Sequence, residues 1–78
     1  MNTFRIIPVI ETDKNSEIKK GYKVEKKKLF GWELCGVTKG NGFYSYTIIL
    51  FFESVQDAYD WIRQEYGNMA EVVEWKGK

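Results

Sequence analysis

Apolar and polar residues alternate along most of this chain, and the period of the alternation lengthens in one segment. From Thr3 to Ile10 the residues are mostly β-branched, with Phe4 and Ile6 on one face of an extended segment and Ile7 and Val9 on the other. That period of two predicts a first strand. Pro8 lacks an N–H donor, which places the strand at a sheet edge or gives it an irregularity at that point. The run Glu11–Lys20, ETDKNSEIKK, holds turn formers and one apolar residue and predicts a mobile loop.

A second strand is predicted from Tyr22 to Leu29, where Tyr22 and Val24 alternate with Lys23 and Glu25. Phe30 and Gly31 form a short turn into a third strand, with Trp32 and Leu34 on one face and Cys35 and Val37 on the other. Lys39-Gly40-Asn41-Gly42 offers residues that tolerate positive φ and predicts a hairpin turn. The fourth strand, Phe43 to Phe52, is apolar on both faces near its end, which predicts a central or doubly covered strand.

The period then lengthens. Ser54 is a good N-cap, Asp57 completes a capping-box-like pair, and Gly67 stands just past the expected end. Between them Val55, Ala58, Tyr59, Ile62 and Tyr66 fall at the three, four and seven spacings of one helical face, with Trp61 on its flank. Alternation returns from Ala70 to Trp75 and predicts a short last strand. The expected fold is therefore a single α+β domain over residues 1–78, two-layered, with an antiparallel sheet of four to five strands and one helix on one face. In a simple meander the last strand returns antiparallel to the first, at its free edge.

Composition narrows the chemistry. The chain has 78 residues, 44% hydrophobic, with thirteen aromatic side chains. A domain this short buries only somewhat over ~60% of its unfolded surface, so its core must be dense. It has no histidine and one cysteine. Imidazole bases, Ser-His or Cys-His nucleophile pairs, His ligands for zinc, internal disulfides and Cys-rich metal sites are all excluded. No cofactor is expected and the reading is non-enzymatic. Lone Cys35 suits a reducing, cytoplasmic setting. The N-terminal MNTFRIIPVIETDK does not read as a signal peptide, and the apolar run Tyr46–Phe52 is far below the ~20 residues of a membrane span. No membrane and no small-molecule substrate are indicated.

Charge is nearly balanced overall, at +1, yet segregated along the chain. Residues 19–39 hold seven lysines against two glutamates, a net +5, whereas residues 53–78 hold three basic against six acidic groups, a net −3. The candidate binding surface is therefore Lys23, Lys26, Lys27 and Lys28 with Trp32, Tyr44 and Tyr46, the lysines for phosphates and the aromatics for stacking on bases. The competing reading is that these lysines protect an exposed sheet from edge pairing and keep the domain soluble. Lysine also supplies only a point charge where arginine would supply a bidentate fork for guanine.

One helix cannot cover both faces of such a sheet. The uncovered apolar surface predicts a protein partner, or a second copy of the chain in a homodimer, on the open face or an edge strand.

The stretch Tyr22–Tyr66, with its basic strand VEKKKLFGWEL, glycine turn, aromatic strand and helix opening FESVQDAYDWI, resembles small uncharacterised α+β domains of bacteria and phages. It also resembles the arm-type DNA-binding domain of phage integrases, in which three antiparallel strands precede such a helix and the sheet enters the major groove. That second resemblance implies Lys26, Lys27, Lys28 and Trp32 as DNA contacts. Two functions follow as expectations. The first is an interaction domain that binds a protein or itself through its sheet surface; the alternative is a nucleic-acid-binding module built on the lysine-rich hairpin 19–39.

Overall fold

The computed structural model describes residues 1–77. Strands β1 (Asn2–Thr12), β2 (Ile18–Lys28) and β3 (Gly31–Leu34) come first, followed by β4 (Gly36–Lys39) and β5 (Tyr46–Ile49). The helix α1 (Val55–Tyr66) and a last strand β6 (Ala70–Val73) complete the domain. The fold is α+β, with a four-stranded sheet in the order β3-β2-β1-β6 and a separate two-stranded sheet of β4 and β5.

The first hairpin is longer than the polar run predicted. Ile10↔Lys20 and Thr12↔Ile18 still pair, so the expected mobile loop shrinks to a tight turn. The Asp13 carboxylate closes it by accepting from the N–H groups of Asn15 at 2.8 Å and Glu17 at 3.0 Å, a local side-chain bond typical of Asp in turns. Pro8 is tolerated because β6 pairs with β1 only from Asn2 to Arg5, leaving the far edge of β1 open at Pro8.

The third predicted strand is broken, and this break decides the topology. Cys35 still donates its N–H to the Val24 carbonyl, but the chain then leaves the edge of β2 at Gly36. A side chain at Gly36 would collide with the Ile48 carbonyl and lie 2.9 Å from the Thr47 methyl, so glycine allows β4 and β5 to close up at that point. The hairpin β4–β5 stands off as an arm. Its turn contains Gly40 at φ 94° and Gly42 at φ 52°, as KGNG predicted, but a turn of 3₁₀ helix at Gly42–Tyr44 delays the next strand to Tyr46. At the base of the arm Leu50 donates to the Cys35 carbonyl, and Phe52 exchanges two hydrogen bonds with Tyr22, 2.7 and 2.8 Å. Residues 50–52 thus take up the edge of β2 again where Cys35 left it.

The expected central strand Phe43–Phe52 is therefore corrected: its first part belongs to the arm and only its last residues touch the main sheet. The direction of β6 is corrected for the same reason. With the arm excluded, an edge strand antiparallel to β2 leads into α1, and the helix returns β6 to the free edge of β1 in the parallel sense. The sheet is mixed, not antiparallel.

The helix forms as its sequence dictates. The Asp57 N–H donates to Ser54 Oγ at 3.1 Å, and Gly67, at φ 57°, donates its N–H to the Arg63 carbonyl. Ala58 and Ile62 are buried against Phe4 and Val24, and these four residues are the fully buried core. Cys35, Phe52, Trp61, Tyr66, Ala70 and Val72 close around them. Val55 and Tyr59, expected on the same helical face, are instead exposed, at 41% and 37%.

Candidate functional site

Strand alternation sorts the lysine cluster before any contact is considered. Arg5 faces Glu25, Ile7 faces Lys23 and Lys27 faces Trp32, so these residues share the sheet face away from the helix. Phe4 faces Lys26, and Lys26 faces Glu33, so Lys26 and Lys28 lie on the helix side. The candidate surface is divided between two sides of one strand.

On the open face the charges are already engaged. Arg5 Nε donates to Glu25 Oε1 at 2.6 Å, and the Arg5 guanidinium lies 4.1 Å from the centre of the Trp32 ring. Lys23 Nζ reaches Glu11 Oε2 at 2.5 Å, and Lys19 Nζ lies 4.5 Å above the Phe51 ring. Trp32 is thereby covered by a cation, and Lys23 is paired. Arg5 and Glu25, which the sequence reading left unassigned, organise this face; their pairing needed the β1–β2 register to be known.

On the helix side Lys26 Nζ sits 5.2 Å from the centre of the Tyr66 ring, and Lys28 pairs with Glu33 at 3.4 Å. Together with Cys35, Trp61, Tyr66 and Glu65 they line a cleft of about 380 Å³ between the helix end and the base of the arm. Its two lysines are matched by two glutamates, so the cleft has no strong sign of charge. Burial raises the Cys35 thiol above its ordinary range; Lys26 and Lys28 oppose the shift, and Glu33 and Glu25 add to it. The neutral thiol is the folded form, so stability is intact below the unfolded thiol value of ~8.5 and declines as pH rises through the higher folded value. Cys35→Ala is expected to flatten that alkaline decline. The check is a series of urea midpoints from pH 7 to pH 10; equal slopes for the two proteins would contradict the burial.

Tyr44 and Tyr46, the remaining predicted contacts, lie on the arm, away from the lysines. Here the exposed apolar surface concentrates. Phe43 is 101% exposed, Tyr44 82% and Tyr46 56%, and Val37, Ile48 and Ile49 are exposed too. Val37 faces Ile48 and Lys39 faces Tyr46 on one side of the arm; Thr38 and Thr47 face each other on the opposite side, their hydroxyls 3.3 Å apart. The sequence reading placed this segment inside the sheet and so missed Phe43, Val37 and Ile48 as surface residues. A legible signal was present: Phe43–Phe52 contains no charged residue, no glycine and no proline.

Among the described residues no group of three or more Cys, Asp or Glu is placed to hold a metal ion, and no helix is long and apolar enough to cross a membrane. In comparisons with protein-family models, with curated proteins and with solved structures, nothing matches this chain.

Proposed function

We propose that this chain is a non-enzymatic, cytoplasmic interaction domain that binds protein through a sheet surface, and that the surface is the β4–β5 arm. The observation that carries the reading is the exposure of every residue of β5, Tyr46–Ile49, in a strand that is uncharged and rich in β-branched and aromatic side chains. An isolated two-stranded hairpin is marginal in water, and an apolar one gains most from a partner that covers it. Extended segments of another protein add readily to such an edge.

A second reading, nucleic-acid binding, is supported by one feature. The turn from β2 to β3 exposes Lys27, Lys28, Leu29 and Phe30 together, and Phe30 is 96% exposed. That patch offers two cations and one ring for stacking. Against it stand the pairing of Lys23 and Lys28 with glutamates and the split of the cluster over two faces.

One set of variants separates the two. In affinity capture from an extract of the native host, the Tyr46→Ser/Ile48→Lys double variant is expected to lose the proteins that the wild type retains, while Lys26→Glu/Lys27→Glu keeps them. The same proteins on all three baits would sink the arm reading. Binding to duplex or single-stranded DNA that weakens with salt and is lost in the lysine variant would establish the second reading instead.

A further inference from the structure

We infer that the arm's partner is a second copy of this chain, joined through the free edges of the two β5 strands; this rests on the arm being the interaction surface. Three observations lead to it.

The first is surface area. A folded monomer of 9.2 kDa exposes about 4,900 Å², whereas this chain exposes 6242 Å². Its radius of gyration is 13.7 Å, against about 11.5 Å for a compact chain of this length. The excess of roughly 1,300 Å² exceeds the ~800 Å² that each partner contributes to a standard stable interface. Small domains with slender cores regularly make up burial by oligomerising, and among the described residues only Phe4, Val24, Ala58 and Ile62 have fully buried apolar side chains.

The second is the edge itself. Natural sheets blunt free edges with charges, prolines or bulges. The edge strand β3 carries Glu33 and β6 carries Glu71, but β5 is Tyr-Thr-Ile-Ile and pairs on one side only, with β4. The outer edge of β4 carries Lys39, so among the described strands β5 is the free edge without a charge or a proline.

The third is symmetry. Two identical strands paired antiparallel are related by a two-fold axis, so β5 is complementary to itself, and a self-complementary patch closes as a dimer. The axis passes through the Thr47 pair, near the strand's midpoint, so that Tyr46 of each copy faces Ile48 of the other. Because β5 runs from the arm's tip to its base, the pairing lays each tip beside the base of the other arm. The exposed Phe43 and Tyr44 of one copy then lie beside Leu50 and Phe51 of the other. The product is one four-stranded antiparallel sheet, β4-β5-β5-β4, with Val37, Tyr46 and Ile48 of both copies on one face. A net charge of +1 per chain leaves little repulsion between copies.

The experiment is light scattering and sedimentation on the purified protein alone, from about 1 µM to 1 mM. The expected mass is twice that of one chain, falling toward one chain on dilution. Ile48→Lys sets two lysines against each other across the axis, and Phe43→Ala removes a ring that touches nothing in the protomer; each is expected to weaken the dimer at least about tenfold. Both positions are exposed, so unchanged circular dichroism of the variants is expected alongside the loss of mass. A mass of one chain at every concentration overturns the inference, and so does a dimer that both variants leave intact. The first of these results leaves the capture experiment with host extract free to find another protein on the arm, so the two readings fail separately.

Discussion

Phe4→Ala is expected to lower stability by about 3–5 kcal/mol, the usual cost of emptying a phenylalanine site in a core. Phe4 is wholly buried, faces Lys26 on β2 and Val72 on β6, and its ring centre lies 4.7 Å from that of Tyr66. It is the side chain by which the sheet, the helix end and the last strand meet. A chain of 78 residues is stable by only about 4–12 kcal/mol in total. The substitution therefore removes a large share of that margin, since among the described residues only three other apolar side chains share this fully buried core. Urea unfolding followed by tryptophan fluorescence measures the effect, since Trp61 packs against this core. A loss under about 1 kcal/mol would show that the core is not centred on Phe4.

Gly21→Ala is expected to destabilise by about 3 kcal/mol, although a Gly to Ala change in a strand ordinarily stabilises by about 0.4–1 kcal/mol through the unfolded chain. The sign is decided by space. A Cβ at Gly21 would collide with the edge of the Phe51 ring and lie 2.5 Å from the Phe52 carbonyl oxygen. The ring can rotate, but the backbone cannot yield: Phe52 exchanges both of its hydrogen bonds with Tyr22, the next residue along. Adding the methyl group forces residues 50–52 off the edge of β2 and with them the anchoring of the arm. A shift of about 10–20 °C in the melting temperature is the expected readout. A neutral or stabilising result would mean that Phe52 does not close that edge.

The two sites differ in how far the sequence revealed them. Phe4 announces itself as the first large apolar residue of an alternating strand. Gly21 reads only as a residue before a strand, because the contact that excludes a side chain comes from residues 51 and 52, thirty positions away. The same contrast holds for the candidate surface. The six lysines of KKGYKVEKKK are conspicuous as a run, but a run in a strand is shared between two faces, and Glu11 and Glu33 reach Lys23 and Lys28 only through register. The arm was legible as an uncharged apolar stretch, yet such a stretch belongs equally to a buried strand and to an exposed one waiting for a partner. Exposure is a property of what lies opposite, and no local pattern carries it.

What the chain determined by itself was local: the helix between Ser54 and Gly67, the glycine turn at residues 40–42, the apolar faces that became the core, and the lack of histidine, which leaves no imidazole base or ligand. These follow from caps, backbone freedom and side-chain inventory, which act within a few residues. The tertiary structure alone decided the break after Cys35, the parallel return of β6 and the outward placement of β5. Each depends on which of several similar strand edges pairs with β2, a choice made by close approach at Gly21 and Gly36 and by hydrogen bonds between residues far apart in the chain.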